Sequence, residues 1–256
     1  MSPRPIAPPA SSSAILAQSA RTILYALAVA IVFRILVAQP FRIPSESMQP
    51  TLLPGDFIVI SKWDYGYSRA SLAPFEFLAG RGQVLSRTPK RGDVIVFRGP
   101  PDEPGKPQID LVKRLIGLPG DRVEMRNGAL YLNDKPVARE PQGERAIINT
   151  KGKVETFRTF RETLDTGVSY LTFDRRADWF YDDTPVFIVP AGHYFFMGDD
   201  RDVSQDSRTP ELGFVRQDQL IGKVRTVLAS LGPGGGAAPW TWARGWRGER
   251  FLKSVE

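Results

Sequence analysis

Apolar and polar positions divide this chain into two unlike parts. Residues 22–38 read Thr-Ile-Leu-Tyr-Ala-Leu-Ala-Val-Ala-Ile-Val-Phe-Arg-Ile-Leu-Val-Ala, an apolar run broken by one charge, Arg34. As a helix this run is about 25 Å long, and residues 14–20 can extend it toward the ~30 Å of a bilayer core. Beyond it the apolar residues come in short groups between turn signals, as strands do. Gly55 and Asp56 precede Phe-Ile-Val-Ile at 57–60. Arg91, Gly92 and Asp93 precede Val-Ile-Val-Phe at 94–97, and Leu-Val-Lys-Arg-Leu-Ile at 111–116 runs into Gly-Leu-Pro-Gly-Asp. Asn127 and Gly128 separate Arg-Val-Glu-Met from Ala-Leu-Tyr-Leu and suit the type I′ turn of a hairpin.

No sustained helical period and no internal repeat follows the first run. The pattern predicts a mainly β protein: antiparallel sheets with an inserted smaller β subdomain, preceded by one N-terminal transmembrane helix. Its expected parts are a disordered Pro/Ser-rich tail (1–13), an anchor (14–39), a β core (40–135 and 191–231), the insertion (136–190) and a Trp/Arg-rich tail (232–256). Two other readings compete for the anchor, a cleavable secretory signal and a buried core helix. Against cleavage after Ala38 stand Arg34, the unsuitable Leu36 three positions before the cut, and Pro40. Arg34 lies close enough to the end of the run to snorkel. Arg4 and Arg21 on one side face Arg34 and Arg42 on the other, so charge does not set the orientation. In the tail, Trp240, Trp242 and Trp246 with Arg244, Arg247 and Arg250 suit a lipid headgroup layer or a docked segment equally.

Composition removes several chemistries. The 256 residues include no cysteine and one histidine, which excludes disulfides, thiolate metal sites and histidine zinc sites. A Ser-His-Asp arrangement would have to use His193, which sits in the run Gly-His-Tyr-Phe-Phe-Met and reads as structural. The net charge of +6 fits an anionic membrane surface or nucleic acid. Lys and Arg are scattered and no nucleic-acid motif accompanies them, so nucleic acid is not expected.

Three stretches carry candidate chemistry. Residues 41–53, Phe-Arg-Ile-Pro-Ser-Glu-Ser-Met-Gln-Pro-Thr-Leu-Leu, place Ser45 and Ser47 between Pro44 and Pro50 in a stiff turn, fit for a nucleophile and its helper or for a plain surface loop. Lys113 lies inside an apolar strand, pointing with Leu111 and Leu115 and away from Arg114. Burial there could lower its pKa enough to make it a base; the alternative is a snorkelling lysine on an edge strand. Residues 198–208, Gly-Asp-Asp-Arg-Asp-Val-Ser-Gln-Asp-Ser-Arg, suggest a hydrogen-bonded ion-pair loop or a metal site. Asp200, Asp202, Ser204, Asp206 and Glu211 fall at calcium-loop spacing, but Gln205 stands where a glycine is required and Arg201 and Arg208 add positive charge. No metal and no cofactor is expected.

These stretches, with Arg91-Gly-Asp-Val-Ile-Val-Phe and Asp110-Leu-Val-Lys-Arg-Leu-Ile-Gly-Leu-Pro-Gly-Asp, occur in an order that resembles bacterial type I signal peptidase. The resemblance covers most of residues 39–223, loosely at 136–190. It implies Ser47 as nucleophile, Lys113 as general base, and Ser45 Oγ with the Ser47 N–H as oxyanion hole. It further implies Ser204 as the group orienting the Lys113 amine, Ile43 and Val112 as lining of small substrate pockets, and Asp199, Arg201, Asp206 and Arg208 as structural bracing. The implied protein is a membrane-anchored serine endopeptidase that removes signal peptides from exported preproteins after small residues. It would sit single-pass in the inner membrane, its catalytic domain on the outer face; oligomeric state is left open. Asp200 and Val203 depart from the family, which often has asparagine at both places. A LexA-like self-cleaving Ser/Lys protease and a non-catalytic membrane-tethered β domain remain as alternatives.

Overall fold

A computed structural model of the chain describes residues 12–36, 38–72, 85–101, 103, 105–148, 153–176, 178–232 and 245–255. The expected disordered tail falls almost wholly outside the described residues, as do Trp240, Trp242 and Arg244. After the helix α1 (Ser12–Leu36) the described residues are mainly β, with short 3-10 turns at Gln217–Gln219 and Gly248–Arg250, and the strands of the three sheets pair antiparallel. The mainly β, antiparallel expectation is borne out.

The strands of the main sheet are β1 (Ala38–Arg42), β2 (Asp56–Ser61), β3 (Val94–Arg98), β4 (Asp110–Gly117), β12 (His193–Met197), β13 (Val215–Arg216), β14 (Leu220–Ser230) and β15 (Lys253–Ser254). They lie in the order β1-β2-β14-β3-β4-β12-β13, with β15 added on β14. Alternation sorts the apolar residues onto two faces. Ile58, Ile60, Val94, Val96, Val224 and Val227 build one core with Met48 and Leu52. Ile95, Phe97, Leu115, Phe196 and Leu220 build another.

The strands β5 (Arg122–Arg126), β6 (Ala129–Leu132), β7 (Lys135–Pro136) and β11 (Phe187–Ile188) form a four-stranded sheet, and β8 (Ala138–Ile148), β9 (Val154–Thr163) and β10 (Ser169–Asp174) a three-stranded one. The β5–β6 hairpin turns at Asn127 and Gly128, both at positive φ (47° and 73°), as a type I′ turn needs. Because β11 pairs with β5, the four-stranded sheet straddles the boundary expected at 135/136. The three-stranded sheet is tied back to the main one by an isolated bridge between Phe173 and Asp200.

Helix α1 closes at Leu36, and the last two residues of the expected anchor, 38 and 39, already belong to strand β1. Its apolar side chains Leu16, Ile23, Leu24, Leu27, Val29, Ile31 and Val32 stay exposed. Among the described residues no helix is long and apolar enough to cross a membrane. Gln18, Ser19, Arg21 and Arg34 cut the uninterrupted apolar run of α1 to residues 23–33, about 16 Å of helix. At the other end the tail docks. Arg250 donates to Asp56 at 2.5 and 2.9 Å, Val255 is buried in the first core, and β15 pairs with β14.

Candidate active site

The turn between β1 and β2 is held from both ends. The Ile43 N–H donates to the Asp56 carbonyl at 2.8 Å, and the Gly55 N–H donates to the Ile43 carbonyl at 2.9 Å. Met48 and Leu52 have no exposed surface and pin the turn into the core. Residues 44–47, raised off that anchor, carry the two serines. On β4, the register pairs Lys113 with Ile95, so Lys113 shares a face with Leu111 and Leu115, as expected. Its Nζ reaches across to Ser47 Oγ at 2.5 Å. Both residues are buried, at 3% and 7% exposure. Burial lowers the Lys113 pKa to about 8, against the opposing pull of Asp206 and Asp199 and with a small push from Arg208. Ser45 is exposed, its Oγ 3.4 Å from Ser47 Oγ.

A second lysine is also buried. Lys62, which sequence pattern did not single out, is lowered by burial to about 8 and donates to the Ser71 carbonyl oxygen at 2.5 Å. Its partner is a backbone carbonyl, whereas the Lys113 amine meets a hydroxyl. Ile43 and Val112 lie in one apolar cluster with Met48, so the two expected pocket residues come together beside the serine turn.

The loop at 198–208 is an ion-pair scaffold. Asp199 accepts two hydrogen bonds of 2.9 Å from Arg114 and one of 2.5 Å from Thr51. Arg201 grips Glu162 of β9 with two bonds of 2.7 and 2.5 Å. Asp206 holds Arg208 at 2.9 and 2.8 Å and accepts the Gly198 N–H at 2.9 Å. All the loop's carboxylates are thus engaged by arginines or backbone N–H groups, Asp202 by those of Arg175 and Arg176. His193 opens β12 with its Nδ1 3.0 Å from the Ala191 carbonyl oxygen and pairs with Arg216, a structural setting.

One expected contact is not made. Ser204 is 3% exposed, yet its Oγ has no hydrogen-bond partner among the described residues and does not hold the Lys113 amine. The amine is directed at Ser47, and the Ser204 hydroxyl packs onto Gly198. A Cβ at Gly198 would collide with both Ser204 Oγ and the Ser47 carbonyl oxygen, so this close approach requires glycine.

The family model described as signal peptidase, peptidase S26, matches residues 16–229, most of the chain. The chain belongs to the signal peptidase family. Signal peptidase I of Rickettsia typhi is 40% identical over 214 residues, covering 80% of this chain and 77% of that one. Signal peptidase I of Rickettsia canadensis is 38% identical over 221 residues, covering 84% and 80%. A crystal structure of a signal peptidase I from Enterococcus faecalis is 27% identical, covers 54% of this chain and 97% of its own, and superposes with a TM-score of 0.32. As a member of the signal peptidase family the protein is a hydrolase, a serine peptidase.

Within this signal peptidase, sequence reasoning missed four side chains that frame the serine turn: Thr51, Arg114, Glu162 and Arg175. Arg114 stood beside Lys113 in the motif but was read only as the residue facing the other way. It is fully buried, and its guanidinium also lies 4.0 Å from the centre of the Tyr170 ring. An arginine among strand apolar residues is itself a signal of a buried ion pair. For Glu162 and Arg175, in the polar insertion, no local signal exists.

Proposed function

We propose that this signal peptidase cuts preproteins through a Ser47/Lys113 dyad. The observation that carries the reading is the 2.5 Å approach of a buried lysine amine, its pKa depressed to about 8, to the hydroxyl of Ser47. While protonated, the ammonium donates to Ser47 Oγ. Once neutral, the amine accepts the hydroxyl proton as Oγ attacks the scissile carbonyl carbon. The oxyanion that forms takes hydrogen bonds from Ser45 Oγ and the Ser47 N–H. Lys113 then returns the proton to the departing amine, leaving an acyl ester on Ser47, and a water activated by the same amine hydrolyses it. In this reading the buried Ser204 hydroxyl, which has no hydrogen-bond partner among the described residues, accepts a hydrogen bond from the amine when the Ser47 hydroxyl turns toward substrate. Asp199, Arg201, Asp206 and Arg208 hold the surrounding loop.

In this reading Ile43 and Val112, clustered beside the serine turn, form the apolar surface that receives small residues at the −3 and −1 positions of the signal peptide. The exposed apolar side chains of α1 hold the protein at a lipid bilayer, with Arg34 at its edge, and the serine turn follows five residues of β1 later. On this reading the protein sits single-pass in the inner membrane with its reactive face outside, where translocated preproteins emerge. No cofactor takes part.

The reading is tested with detergent-solubilised protein, one preprotein and a serine-acylating inhibitor. Cleavage after the small-residue site and covalent modification of Ser47 are the expected results. No cleavage of any of several preproteins, or labelling elsewhere, sinks it in favour of a non-catalytic tethered domain. Ser45→Ala should slow cleavage about 10²–10³-fold, the cost of one oxyanion donor. Because Ser45 is exposed, its thermal midpoint should stay at the wild-type value. Full activity in that variant removes Ser45 from the oxyanion hole.

A further inference from the structure

One guanidinium connects the serine turn to two other parts of the molecule. Arg175, just beyond β10, lies 3.3 Å from Glu46, the residue between Ser45 and Ser47. It also lies 3.1 Å from Asp200 on the 198–208 loop and 2.9 Å from Glu155 on β9. Its plane is set by the Phe157 ring, 4.6 Å away, which in turn stacks on Phe173 at 4.7 Å. Its own N–H donates to Asp202 at 2.7 Å. Asp200 completes the circuit, because its N–H donates to the Ser47 carbonyl oxygen at 3.2 Å. The nucleophile turn is therefore gripped twice by one system, through the Glu46 carboxylate on one side of Ser47 and through its carbonyl on the other.

We infer that Arg175 is a positioning residue for Ser47, clamping Glu46 and Asp200 so that the hydroxyl stays in line with the lysine amine. This rests on the Ser47/Lys113 reading above. Ser45 and Ser47 stand on the part of the turn that the buried Met48 and Leu52 do not hold, so the lateral restraint on Ser47 comes from these polar contacts. A displacement of about 1 Å at a reacting atom costs on the order of 10²-fold in rate. Asp200 is wholly buried, and burial raises its pKa to about 7 despite Arg175. Asp202 and Glu46 push it the same way, so Arg175 is what favours its charged form. Lysine is a poor substitute: a point charge cannot serve three carboxylates arranged around a planar fork.

The test is kcat and KM for one preprotein in Arg175→Ala, Arg175→Lys, Glu46→Ala and the double alanine variant, with Ser47→Ala alongside. The expected result is a kcat lower by about 10–100-fold in each alanine single, with KM within about threefold. Arg175→Lys should recover only part of it. The double variant should be no worse than the poorer single, since both remove the same clamp. Arg175→Ala strips a counter-charge from buried Asp200 and could unfold. Glu46→Ala, at a partly exposed site, keeps the proposal testable in that case. A kcat within twofold of wild type in Glu46→Ala, or losses that multiply in the double variant, overturns the clamp. Activity surviving in Ser47→Ala would instead sink the dyad on which it rests.

Discussion

Lys113→Met should abolish cleavage and at the same time make the folded protein harder to melt. On the dyad reading, the loss of activity follows from removing the amine in contact with Ser47, and is on the order of 10⁴-fold or more, as for the loss of a base that acts as a unit with its serine. The gain in stability follows from the sign of the pKa shift. Lys113 has a folded pKa near 8 against the ordinary 10.5 of an unfolded lysine. Below pH 8 both states hold the proton, and the folded state bears the whole cost of a buried ammonium, about 3 kcal/mol for that shift. Between pH 8 and 10.5 the unfolded chain binds more protons, so wild-type stability rises with pH through this window and the cost is gone above it. Methionine has similar bulk and no charge. At pH 7 the variant should therefore be more stable by about 3 kcal/mol, and the difference should shrink toward zero by about pH 10.5. Comparing unfolding of the two proteins at pH 7 and pH 10 cancels other groups that titrate. A variant less stable than wild type at pH 7 would mean that the amine is not held uncharged by burial. The same shift requires wild-type activity to climb with pH up to about 8 and then level off.

Arg114→Met should destabilise as strongly as any single change in the protein. Its partner Asp199 has no exposed surface and accepts both guanidinium hydrogen bonds at 2.9 Å. Removing the cation strips the buried carboxylate of both guanidinium hydrogen bonds, leaving that from Thr51, and breaks the bond of 2.8 Å to the Gly92 carbonyl as well. Losing one member of a buried pair costs about 3–5 kcal/mol, which in a domain of this size lowers Tm by roughly 6–20 °C. Replacing both partners, Arg114→Met with Asp199→Leu, should return much of that loss, because no lone charge remains. A drop of less than about 2 °C in the single variant would show that the carboxylate finds another partner.

The parts of the fold written in the sequence are those with local causes. β2 and β3 each follow a turn signal, β4 runs into one, all three carry apolar residues in a short block, and the Asn127–Gly128 hairpin needs only its two left-handed residues. Lys113 and the two serines stood out because they break their surroundings, a charge in an apolar strand and hydroxyls between prolines. What the sequence hid was long-range. β14 runs between β2 and β3 although it follows them by well over a hundred residues, and β15 attaches to it from the tail. Arg250 finds Asp56, and Arg201 finds Glu162, across separations no periodicity reports. The two readings of the tail were balanced for the same reason: Arg250 and Val255 dock, while Trp246, Phe251 and Leu252 stay exposed. Ser204 was placed by resemblance alone, and its contact depends on where the amine points.

The position of β14 also sets when the protein can become a protease as it is made. Ser47 precedes β2, Lys113 stands on β4 beside β3, and among the described residues β2 and β3 are joined in the sheet through residues 220–230, which slot between them. A nascent chain that ends earlier already holds its serine and its lysine, but they belong to two unconnected hairpin fragments. In water that lysine keeps its proton at neutral pH and the serine stays inert. Sheets closed by such distant pairings complete late in folding. On the Ser47/Lys113 reading, closure of the sheet is what switches the dyad on, and a ribosome carrying an unfinished copy carries no working dyad.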